Sequence, residues 1–208
     1  MTDVVDFTEV PHLQEMLSYL PIDPEDEEDI VNYVQNITSL IAVNYKYGQY
    51  QFAYFGVHLL YMTYIYCTAW KIGQIEPERY KDAIVFARSY NGREQDFKIE
   101  DADSIFVYSL MPEKDIAKLF KIIDLDNSQI SMVGDLVDTR NDMAHASGKF
   151  EILNEESYDA KVSNIISSMD FIHRCMVRLI RKWYGQVLIS FCKGEYEGYD
   201  NPKDVIIE

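Results

Sequence analysis

The chain has 208 residues, 48% of them apolar or aromatic, with 16 Tyr and 10 Phe. That is enough length and apolar mass for one sizeable core, and it excludes a wholly disordered chain. Thirty-five acidic residues against 19 basic ones leave a net charge of −16, which excludes a protein that grips nucleic acid through a broadly basic surface.

Residues 1–25 read as an N-terminal extension, residues 26–195 as one helical domain and residues 196–208 as a tail. The opening stretch, MTDVVDFTEVPHLQEM, lacks the basic-then-apolar order of a secretory signal. The segment PIDPEDEED is a loop leading into an acidic helix start, where carboxylates favour the positive end of the helix dipole. A helix then runs to about Tyr47, with Ile30, Val31, Val34, Ile37 and Ile41 at helical spacing, and Gly48 ends it.

The next helix spans about Gln49 to Ile72. From Tyr47 to Trp70 it carries no formal charge, and by length alone it could span a bilayer. Gln49, Gln51, His58 and Thr63 and the evenly scattered tyrosines favour a central helix wrapped by others instead. No membrane contact is expected. His58 on this helix is expected to be a packed, hydrogen-bonded core histidine rather than a ligand.

Pro77 opens a short amphipathic helix, and residues 91–102 are polar and turn-rich. DADSIFVYSL and PEKDIAKLFKII form two short helices divided at Met111-Pro112. Asp126, Asn127 or Ser128 caps a helix that ends near Ala146-Ser147-Gly148. A last helix, long or broken, covers about Glu155 to Cys192. Alternating strand patterns are nearly absent, so the fold class is all-α, an up-and-down helical bundle.

Three widely spaced cysteines (Cys67, Cys175 and Cys192) suggest neither a disulfide framework nor a zinc knuckle, and a reducing cytoplasm is the simplest setting. His12 and His173 have no companion at metal-ligand spacing, and no HExxH, GxSxG or Gly-rich phosphate loop is present. Neither a metal nor a cofactor is expected.

Chemistry concentrates in RNDMAH, residues 140–145. On a helical wheel Ser131, Asp135, Asp138, Asn141, Asp142 and His145 form a polar stripe, opposite Val133, Leu136, Met143 and Ala144. Arg140 falls on the apolar side, between Val133 and Leu136. A guanidinium stays protonated and cannot be left dry without an acceptor. It must reach the surface, meet a carboxylate on a neighbouring helix, or face an interface that holds an anion.

RNDMAH resembles the Arg-x4-6-His motif of the HEPN superfamily. The following Ala-Ser-Gly-Lys-Phe and the aromatic YQFAYFGVHLLYMTYIY also look like HEPN proteins of toxin and phage-defence type. The likeness covers most of residues 28–190. It implies a metal-independent endoribonuclease acting as a toxin or abortive-infection effector, in which two copies pair so that both motifs line one cleft. Arg140 would then face the partner chain and hold the scissile phosphate. His145 would be general base or acid, and Asn141 would orient it or donate to a phosphate oxygen. Asp135 and Asp138 would support Arg140 or His145.

RNA cleavage by attack of its own 2′-hydroxyl would leave a 2′,3′-cyclic phosphate and a free 5′-hydroxyl. Ser147 stands where toxins with a nucleotidyltransferase antitoxin often carry a modifiable Tyr, so control by that route is not expected. An antitoxin, a companion protein or a structured RNA would explain how so acidic a chain meets substrate. Lys149, Arg178, Arg181 and Lys182 are either steering charges or ordinary solvated positions. The rival reading is a non-catalytic HEPN-like module, whose charge suits a basic protein partner.

Overall fold

A computed structural model of the chain describes residues 10–22, 28–88, 104–144, 152–196 and 201. Among them the fold is an all-α bundle without strands. The helices are α1 (Leu13–Tyr19), α2 (Glu28–Lys46), α3 (Tyr50–Ile75), α4 (Pro77–Arg88), α5 (Glu113–Ile116), α6 (Asn127–Ala144) and α7 (Glu155–Cys192). Two 3-10 segments, Ile105–Leu110 and Ala117–Ile123, flank α5. The polar stretch 91–102 lies outside the described residues.

Local signals explain most of the boundaries. At Gly48, with φ of 67°, α2 turns into α3, and the Gln49 and Gly48 amides bond back to the Asn44 and Tyr45 carbonyls. That is a Schellman stop, which suits glycine because the left-handed region costs it nothing. Asp126 caps α6 reciprocally with Gln129: Asp126 Oδ1 accepts from the Gln129 amide at 2.8 Å, and Gln129 Oε1 from the Asp126 amide at 2.9 Å. Asn154 caps α7 by accepting from the Ser157 amide. α7 is one unbroken 38-residue helix, about 57 Å long at the standard rise.

α3 is the axis of the core. Ala53, Tyr54, Leu60, Tyr61, Ile65, Ala69 and Ile72 on it are fully buried, each large side chain contributing roughly 1.5–3 kcal/mol of hydrophobic stabilisation. α7 runs beside it in the same direction: Tyr50 meets Tyr158, Tyr61 bonds Ser168 Oγ at 2.7 Å, and Tyr64 donates to the Met169 carbonyl at 3.1 Å. These bonds satisfy two of the tyrosine hydroxyls that the helix carries into the interior. Among the described residues no helix is long and apolar enough to cross a membrane.

Two findings differ from the sequence expectation. α1 falls within the stretch read as an N-terminal extension, yet Leu13 and Met16 are buried in the same core as α3. The two short helices around Met111-Pro112 are largely 3-10, closed at Asp124 with φ of 67°. Runs this short cannot reveal from periodicity whether bonds close at i+3 or i+4.

Gly56 is a point of close approach between α3 and α2. An added Cβ would stand 2.6 Å from Ile41 Cγ1 and 2.7 Å from Leu40 Cδ2. Ile41 is fully buried and has no room to retreat. Gly56→Ala should therefore destabilise the protein, overpacking of about 1–3 kcal/mol outweighing a helix-propensity gain of about 1 kcal/mol. Gly185→Ala in α7, whose Cβ would meet nothing within 4 Å, should stabilise by about 0.5–1 kcal/mol. Thermal melting of the two variants checks both signs.

Candidate functional site

Val133, Leu136 and Val137 turn α6 toward the core, while Ser131, Asp135, Asp138 and Asp142 are exposed, as the helical wheel requires. Arg140 lies on the margin between these faces, in the last turns of α6. Its Nη2 donates to Glu113 Oε2 in the first turn of α5. Both side chains are 26% exposed, so the pair sits at the mouth of the packing seam rather than in its depth. Of the outcomes that the sequence allowed for Arg140, this is a carboxylate on a neighbouring helix. Its charge is met by a carboxylate of the same chain, because a desolvated guanidinium needs an acceptor wherever one is within reach.

A third group stands behind the pair. His58, on α3, is 1% exposed, and its Nε2 lies 3.8 Å from Glu113 Oε2. That separation is electrostatic contact rather than a hydrogen bond. Neither ring nitrogen of His58 has a hydrogen-bond partner among the described residues, nor do Tyr54 Oη and Arg140 Nε. His58 is therefore buried as expected but not hydrogen-bonded as expected. Tyr54 sits one turn before it on α3, its hydroxyl pushed up to about 12 by burial while the Arg140 charge pulls the other way.

α5 grips α6 a second time. Lys114, adjacent to Glu113, pairs with Asp138 at 2.5 Å, and its stem passes over Gly134. Adjacent residues of opposite sign on α5 thus meet Asp138 and Arg140, two positions apart on α6, and both pairs agree on one register between the helices. This places Asp138 on Lys114 rather than in support of Arg140. Asp135 is exposed, and its carbonyl accepts from Thr139 Oγ1. Asn141 is half-buried on α6. His145 and Lys149 lie outside the described residues. Arg178 Nη2 donates to Cys175 Sγ, while Arg181 and Lys182 are exposed on α7.

The structure thus joins Arg140 to two residues that the sequence did not single out for the site, Glu113 and His58. Glu113 lies 27 residues from its partner, and no local pattern announces such a pairing. Among the described residues no group of three or more His, Cys, Asp or Glu could hold a metal ion.

The cluster has a definite response to acid. Burial holds His58 below its usual range, against the opposing pull of Glu113. Burial alone would raise the Glu113 carboxyl, but His58 and Arg140 together bring it below the ordinary value. Unfolded, His58 titrates near ~6.5; below that pH the unfolded chain takes the proton more readily and stability falls. Glu113 adds stability at neutral pH that is lost as pH drops through its depressed folded value. Both act in one direction. The urea midpoint should decrease from about pH 7.5 to about pH 5.5, and His58→Gln should flatten that decrease.

No protein-family model, curated protein or solved structure matches the chain, so its chemistry is read from these residues themselves.

Proposed function

We propose that the protein is a metal-independent endoribonuclease whose working residues are Arg140, Asn141 and His145, and that two copies combine to complete the cleft. The observation that carries this reading is the state of Arg140. It is held by Glu113 through Nη2 in a half-buried seam and retains partial exposure five residues before His145. A guanidinium has five N–H donors, and one edge bonded to a carboxylate leaves others for phosphate oxygens.

In this reading the substrate supplies the nucleophile. His145 removes the proton from an RNA 2′-hydroxyl, whose oxygen attacks the adjacent phosphorus, and the 5′-oxygen leaves with a proton from an imidazolium. Arg140 carries the extra negative charge that gathers on the phosphate oxygens in the transition state. Asn141, half-buried beside Arg140, orients the imidazole or donates to the phosphate. A role as a toxin or abortive-infection effector fits such an activity, with a companion protein or a structured RNA overcoming the acidic surface.

The Arg140–Glu113 pair also favours a second reading. If the pair only neutralises a buried charge, the bundle is a non-catalytic module for a basic protein partner. Cleavage of total RNA decides between them. Wild type should produce fragments ending in 2′,3′-cyclic phosphate, and Arg140→Ala and His145→Ala should each lower the rate by roughly 10²-fold or more. Equal, intact RNA with all three proteins, at concentrations where solution mass reports a dimer, removes catalysis. A strict monomer supports the module.

A further inference from the structure

Resting on the ribonuclease reading above, we infer that Glu113 is the positioning residue that sets the orientation of Arg140 toward the RNA phosphate. Glu113 Oε2 is the atom on which the seam converges: Arg140 Nη2 bonds it from α6, and His58 Nε2 faces it at 3.8 Å from α3. His58 is buried in the most deeply packed helix of the bundle, so the carboxylate is backed by a group that has no space to swing. Lys114, the next residue, is tied to Asp138 at 2.5 Å. Glu113 therefore cannot slide along α6 without breaking a second ion pair. Fixed from behind and from the side, its carboxylate gives the long, flexible Arg140 stem one bearing.

That bearing matters because phosphate recognition by arginine is planar and directional. A guanidinium free to rotate offers its donors in many directions, and a displacement of about 1 Å at a reacting centre can cost up to ~10²-fold in rate. Glu113 takes a single edge of the fork and touches no substrate. Its charge beside a phosphate is repulsive, so its contribution lies in where it holds Arg140, not in attraction for RNA. The alternative, that the carboxylate competes with phosphate for Arg140, makes the opposite forecast for substrate affinity.

Two conservative variants separate these roles. Glu113→Asp keeps the charge but withdraws the oxygens by one methylene, whereas Glu113→Gln keeps reach and an acceptor oxygen but loses the charge. With a labelled single-stranded RNA chosen from the sequences that wild type cuts in total RNA, E113D should lower kcat by roughly 10-fold or more, with KM within about 3-fold. E113Q should retain kcat within about 3-fold. Unchanged kcat in E113D, measured well below its melting temperature, overturns the positioning role, as does a lowered KM in E113Q with kcat unaltered, the mark of a competitor. Arg140→Ala, run alongside, tells the two failures apart. Wild type active, R140A inactive and E113D at full rate sinks this inference alone; wild type and R140A equally without cleavage sinks the ribonuclease reading and this inference with it.

Discussion

A guanidinium on the drying side of a helix must find an acceptor, and much of the architecture around α6 is arranged by that demand. Arg140 follows Val133 and Leu136 toward the interior, where an unpaired cation would cost several kcal/mol. Glu113 meets it. Partial burial strengthens their attraction above that of a surface ion pair, and partial exposure spares it the full desolvation penalty. The short helix α5 presents Glu113 and Lys114 to α6, and the extended backbone at Met111-Pro112 separates it from the segment before.

The pair leans on α3. His58 reaches it from a helix otherwise given to tyrosine and aliphatic packing, two of whose hydroxyls, those of Tyr61 and Tyr64, bond to Ser168 and the Met169 carbonyl of α7. Tyr54 Oη and the His58 nitrogens break the pattern, lacking hydrogen-bond partners among the described residues. Buried polar atoms without partners are rare and costly in native proteins. These atoms lie beside the Arg140 seam, and on α7 Tyr158 Oη and Asp159 Oδ1 likewise lack partners among the described residues. Strongly perturbed groups gather in this way at functional sites and in structural ion-pair networks alike.

The acidic surface and the proposed role of the motif pull in different directions. The exposed aspartates of α6, among them Asp135, Asp138 and Asp142, line the side away from the core, while Arg140 sits at the margin facing α5. Substrate approaching over the acidic side would be repelled. On the ribonuclease reading, substrate would instead come in by the α5–α6 margin, where Arg140 and Glu113 are equally exposed. A second copy or a companion protein covering part of the acidic side would sharpen that preference.

Much of this molecule was readable from its residues alone. The all-α class, the spans of α2 and α3, the Gly48 stop and the helix starting near Asn127 follow from patterns closing within one or two helical turns, where backbone bonding and side-chain periodicity act. The motif's place near the end of α6, and the requirement that Arg140 find a partner, followed from the same periodicity. What only tertiary structure decided was the identity of that partner. Periodicity states which face of a helix is buried but never against what, so Glu113 and His58, the diversion of Asp138 to Lys114 and the recruitment of α1 into the core waited on packing among segments far apart along the chain. Acidic residues are plentiful here, and only three-dimensional proximity distinguishes the one that holds Arg140 from the others.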